Sequence, residues 1–133
     1  RAALEGALTD PVEEVRSALA AGLRESATKG ALDLLQPLFA DSSLYVRRQA
    51  LLSAVSLGHK PAVAELLESL AVATLDTGEN YGFNLFADLA RYLGREHYER
   101  MGTELEAWRD WWRSAAGSFD LPAAIAAEVE RER

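Results

Sequence analysis

Between residues 10 and 75 the apolar positions recur at helical intervals. Val15, Leu19 and Leu23 lie four apart, as do Val46, Ala50 and Ala54. One face of a 3.6-residue helix repeats at that spacing, whereas a half-buried strand alternates. Each segment precedes a second apolar helical run, GALDLLQPLFA at 30–40 and PAVAELLESLAVATL at 61–75. The chain therefore reads as successive helical hairpins. The hairpins are also alike: DPVEEVRSAL (10–19) and DSSLYVRRQAL (41–51) both carry Asp, four residues, Val-Arg and an apolar run, 31 residues apart. A period of that size marks a stack of units that bury their apolar faces on their neighbours.

Local punctuation divides the hairpins. Asp10 is predicted to cap a helix, with Pro11 at its first position and Glu13 closing a capping box. Asp41 or the serines after it are expected to cap the next first helix. Gly58 reads as the stop after SAVSL, and Pro61 as the start of the following helix. Pro37 should kink its helix in the last turn, because its ring clashes with the carbonyl of Asp33.

Outside this core the pattern loosens. RAALEGAL at 1–8 reads as the end of a second helix from a preceding repeat, and a start at Arg1 is expected of a piece of a longer protein. Residues 75–94 form an aromatic-rich helical run ending at Gly94, in which Tyr81, Phe83, Phe86 and Tyr92 are expected in the core, the alternative being that part of this unit is a docking surface for a partner. Residues 95–102 read as a short polar connector of one helical turn. Thr103 and Glu106 are predicted to box the start of a helix over 103–117. The last segment reads as a helix whose acid-base tail ends in solvent or begins a further segment. The predicted organisation is one domain over 1–133: 1–9 from a preceding repeat, repeats at 10–40 and 41–75, a divergent terminal repeat with a tryptophan cap at 76–119, and a final helix at 120–133.

Composition supports an all-helical reading, since Ala and Leu dominate and β-branched residues are few. With 21 acidic against 14 basic side chains the net charge is −7. That is the reverse of what phosphate neutralisation requires, so no nucleic-acid partner is expected. There is no cysteine for a disulfide, thiolate nucleophile or thiolate metal site. No apolar run is long enough to cross a membrane, and a cytoplasmic location is the expectation.

The motif Asp-x₄-Val-Arg followed by an apolar helix, a turn and a second Leu-rich helix resembles the HEAT repeat, notably the short bacterial type related to phycobilin-lyase repeats. The match runs from residue 10 to about 75 and loosely to about 117. The resemblance implies an all-α, right-handed α-solenoid of about seven to eight helices. It implies a ladder of Asp and Arg between adjacent repeats, formed by Asp10, Arg16, Asp41 and Arg47. The third unit keeps Asp76 but has Gly82 in place of the arginine, so the ladder should end there. It also implies that second helices line the concave face, which would present Glu5, Asp33, Gln36, Glu65 and Glu68. Lys29 sits only at a helix start.

Catalytic chemistry is hard to find. His59 lies in a turn, and His97 between Glu96 and Glu99 has no second His or Cys at ligand spacing. No phosphate loop, nucleophile elbow or dinucleotide fingerprint occurs, so no cofactor, metal or catalytic residue is expected. The preferred function is a non-catalytic scaffold or adaptor, using an acidic concave face to hold a basic or mixed-charge protein segment. The alternative is an enzyme or accessory domain of the phycobilin-lyase-like type. Oligomeric state cannot be read.

All three tryptophans lie in EAWRDWWRS, 106–114. Leu105, Trp108 and Trp112 share one helical stripe about 100° wide, as a core-facing surface requires. They are predicted to cap the open end of the stack. Trp111 lies on the rim of that stripe, either packing under the 95–102 segment or the last helix, or serving as a protein-binding anchor.

Overall fold

The computed structural model describes residues 6–24, 30–70 and 85–132. Their regular structure is all helical, with no strand among the described residues. The chain divides into two compact units, residues 1–66 and 67–133.

In the first unit, residues 6–8 are helical and are followed by α1 (Glu13–Gly22), α2 (Ala31–Leu35), a 3₁₀ segment (Gln36–Ala40) and α3 (Leu44–Ser56). α4 (Pro61–Leu70) comes next and carries the division between the units. The core consists of Leu19, Ala20 and Leu23 from α1 and its end, Ala31, Leu34, Leu35 and Leu38 from the second helix, and Val46 and Ala50 from α3. Fully burying each of the leucines and the valine contributes about 1.5–3 kcal/mol. Ala7, Leu8, Phe39 and Leu57 pack at its edge.

Sequence punctuation accounts for most boundaries. Pro37 leaves α2 only five residues long and turns its continuation into the 3₁₀ segment. Ser43 caps α3 by accepting the Val46 amide at 3.2 Å. α3 ends in a paired αL stop: Gly58, at φ 92°, donates to the Val55 carbonyl and His59 to that of Ala54, both at 2.9 Å. α1 starts differently from the prediction. Its N-cap is Val12 and no side chain caps it. The Asp10 carboxylate instead closes a turn on the Val12 amide at 2.8 Å, and the Asp10 carbonyl accepts Arg16 Nη1 at 2.9 Å. The helix starts from the carbonyl of Val12, which accepts the amides of Val15 and Arg16.

A polar seam joins α1 to α3. Arg24 Nη2 donates to Gln49 Oε1 at 2.7 Å and Arg24 Nε to Ser53 Oγ at 3.1 Å. Ser53 in turn donates to the Ala20 carbonyl at 2.6 Å. Buried Gln49 and Ser53 thus have their side-chain oxygens engaged.

The second unit contains α5 (Leu85–Leu93), α6 (Arg95–Met101), α7 (Leu105–Ala115) and α8 (Leu121–Arg131). The expected 95–102 connector is α6, a helix of seven residues. Gly94 carries the whole turn at φ 127°: its amide closes α5 on the Ala90 carbonyl and its own carbonyl opens α6. α7 also departs from the expected capping box. Its N-cap is Glu104 without a side-chain bond, and Glu106 is drawn to Arg109 at 3.0 Å. Leu85, Leu89, Leu93, Trp108 and Leu121 are buried in this unit. The aromatics Tyr81 and Phe83 lie outside the described residues, whereas Tyr92 is buried and the Phe86 ring stands 6.0 Å from Trp108.

Candidate protein-binding site

The apolar residues of the second helices turn inward and leave their polar residues outside. On the first, Leu34, Leu35 and Leu38 are buried while Asp33 and Gln36 are exposed. On α4, Ala62, Val63, Leu66 and Leu67 are buried while Glu65 and Glu68 are exposed. Asp33, Gln36 and Glu65 form no side-chain hydrogen bond or ion pair with other described residues. Glu68 is different: its Oε1 accepts Arg109 Nη2 of α7 at 2.9 Å. Glu5, Lys29 and Asp76 lie outside the described residues.

Arg16 and Asp41 are brought together across the repeat junction by two bonds, Nε to Oδ1 at 2.7 Å and Nη2 to Oδ2 at 3.1 Å. Burial pushes the Asp41 carboxyl up, but the Arg16 hydrogen bond, the Ser43 amide and the charges of Arg16 and Arg47 outweigh it and hold it below its ordinary value. Arg47 Nη1 donates to the Asp41 carbonyl at 2.6 Å, as Arg16 does to that of Asp10. Each Val-Arg arginine thus closes the turn of its own repeat.

The tryptophans separate by depth. Trp108 is wholly buried and its Nε1 donates to the Gly102 carbonyl at 2.9 Å. Trp112 is buried, and Leu105 and Trp111 are half-buried. The Trp111 ring lies 4.2 Å from that of His97 and 5.6 Å from that of Phe119. Burial pushes the His97 imidazole below its ordinary value; Glu96 pulls it up and Arg100 pushes it down again. Arg100 Nη2 donates to His97 Nδ1 at 3.1 Å, which requires a neutral ring because guanidinium cannot accept. His59 stacks on Phe39 at 6.2 Å.

In the C-terminal tail Val129, Glu130, Arg131 and Glu132 are exposed, while Glu128 one position earlier is buried. Arg95 grips Glu128 through Nε to Oε1 at 3.0 Å and Nη2 to Oε2 at 2.5 Å. Arg91 grips Glu132 in the same way at 3.1 and 2.8 Å. Two arginines four residues apart meet two glutamates four residues apart, a match in the sequence that points to the contact.

Among the described residues no group of three or more His, Asp or Glu is placed to hold a metal ion, and no helix is long and apolar enough to cross a membrane. The family model for HEAT repeats matches residues 1–77. No curated protein and no solved structure matches the chain significantly.

Proposed function

The chain belongs to the HEAT-repeat family, and from that premise we propose that it is a non-catalytic protein-interaction scaffold or adaptor, binding through the second-helix residues Asp33, Gln36 and Glu65. HEAT repeats generally mediate protein–protein interaction. The observation that carries the reading is a contrast among the acids. Asp41, Glu68, Glu128 and Glu132 are each held by an arginine, whereas exposed Asp33 and Glu65 have no ion-pair partner among the described residues. Open carboxylates on the second helices of two successive repeats favour a basic or mixed-charge protein segment, by steering and by complementarity. The excess of 21 acidic over 14 basic residues argues against a nucleic-acid ligand.

A photo-crosslinking residue at position 36 identifies the partner in the native host. Reversing Asp33 and Glu65 together to lysine should weaken that partner about tenfold at low salt and flatten its salt dependence. Unchanged affinity and unchanged salt dependence would sink the proposal.

A further inference from the structure

Arg16, Arg91 and Arg95 each meet a carboxylate through Nε and Nη2 together, as a two-bond fork. Arg109 of α7 is arranged otherwise. Its Nη2 stands 2.9 Å from Glu68 Oε1 on α4, and its Nη1 donates to Glu106 Oε1 on its own helix at 3.0 Å. Its Nε is buried without a hydrogen-bond partner. One guanidinium is thus divided between two carboxylates and forks neither, although the fork is the stronger and more specific geometry.

The Glu68 end of this arrangement is open to a competitor. The Glu68 side chain is 63 % exposed while paired, against 8 % for Asp41 and 6 % for Glu128. An exposed single contact of this kind is weak. Arg109 also keeps Glu106 when Glu68 is withdrawn, so parting the pair leaves no charge stranded. On α4 Glu68 follows Glu65 by three positions, which makes the two acids neighbours on the helix surface.

Resting on the reading of Asp33 and Glu65 as a protein-binding surface, we propose that Arg109 is an internal competitor for that surface. In the free protein Arg109 occupies Glu68. An arginine of a bound basic segment displaces it and takes Glu68 by a two-bond fork, while Arg109 stays with Glu106. The preferred partner chemistry is therefore guanidinium, the group already seated on Glu68. An ammonium carries the same charge but cannot make the fork, so arginine-bearing segments bind ahead of lysine-bearing ones.

A labelled peptide of alternating glycine and arginine, and its lysine counterpart, test this by fluorescence anisotropy at low salt. The arginine peptide should bind more tightly than the lysine peptide. Arg109→Gln should tighten the arginine peptide about two- to fivefold. Arg113→Gln removes the same charge from the same helix but frees Asp110 instead, and should tighten it far less. Glu68→Gln breaks the Arg109 pair from its other end and should not tighten binding at all. Added to Arg109→Gln, it should cancel the gain. Loss of the ion pair itself is common to both single variants, so a merely structural role would move them alike. Equal tightening by Arg109→Gln and Arg113→Gln would reduce the effect to net charge and overturn the proposal, as would a gain that survives Glu68→Gln. Peptide binding that Asp33→Lys with Glu65→Lys weakens, but Arg109→Gln leaves unchanged, would remove the competitor and keep the surface. No binding, or binding indifferent to Asp33→Lys with Glu65→Lys, would remove the surface and the competitor together.

Discussion

Arg16 and Asp41 meet as a two-bond fork although 25 residues separate them, and each also organises the turn that begins its own repeat. The fork therefore ties the junction of two repeats to the geometry of both turns. Asp41→Asn and Arg16→Ala should each lower the melting temperature by a few degrees, and the double variant should fall little further. Arg16→Lys should recover only part of the loss, because an ammonium keeps the charge and loses the planar fork. Chemical denaturation of the four variants checks the coupling. Additive losses would show that the two residues act separately.

Trp108 and Trp111 are three residues apart and should behave differently on truncation. Trp108 is wholly buried, so Trp108→Ala should cost about 3–5 kcal/mol. Trp108→Phe should cost about 1–3 kcal/mol, since it strips the Gly102 carbonyl of its donor. Trp111 is half-buried between His97 and Phe119, and Trp111→Ala should cost less than Trp108→Ala. Urea unfolding followed by far-UV circular dichroism orders the three. An equal loss at Trp108 and Trp111 would contradict the difference in depth.

The repeat and the depth of Trp108 and Trp112 were legible because they follow from period and helical stripe, which a single chain displays. Capping was less so. Asp10 carries the right side chain for a cap, but its carboxylate binds the Val12 amide in a turn ahead of the helix while its carbonyl binds Arg16, contacts that depend on the folded backbone. Helix α6 was hidden because REHYERM has little apolar periodicity, and a single glycine replaces the loop expected between helices. Asp33, Glu65 and Glu68 of the second helices are exposed, yet Glu68 is engaged by Arg109 from a segment 41 positions later. Such long-range pairings are selected by packing and leave only indirect marks, such as the matched spacing of Arg91 and Arg95 with Glu128 and Glu132.

His97 should titrate below its ordinary value of 6.5, because burial beside Trp111 disfavours the imidazolium and Arg100 adds repulsion against the pull of Glu96. A histidine kept neutral by the fold contributes stability that is present above 6.5 and lost as pH falls through its lowered value. Trp111→Ala should move the titration back toward 6.5, and Arg100→Gln should move it up as well. Histidine ring resonances followed by NMR across pH 4 to 8 read both shifts. An unshifted His97 in the parent chain would remove the basis for either.

The clasp on α8 predicts a second acid dependence, at lower pH. Paired bonds from Arg95 hold Glu128 at about 2 against the burial that pushes it up, with Glu132 and the charges of Arg95 and Arg131 adding to the lowering. A depressed carboxylate contributes stability fully present above its ordinary value of 4.5 and lost as pH falls toward 2. Amide exchange across 121–131 should therefore accelerate between pH 4.5 and 2 before the rest of the second unit opens. Glu128→Gln should accelerate it already at neutral pH and abolish most of the acid dependence. Glu132→Gln should do far less, since the Arg91–Glu132 pair is 39 % and 41 % exposed and solvent screens it. If both glutamine variants behave alike, depth is not what sets the strength of the clasp, and α8 is held by Leu121 and its apolar contacts instead.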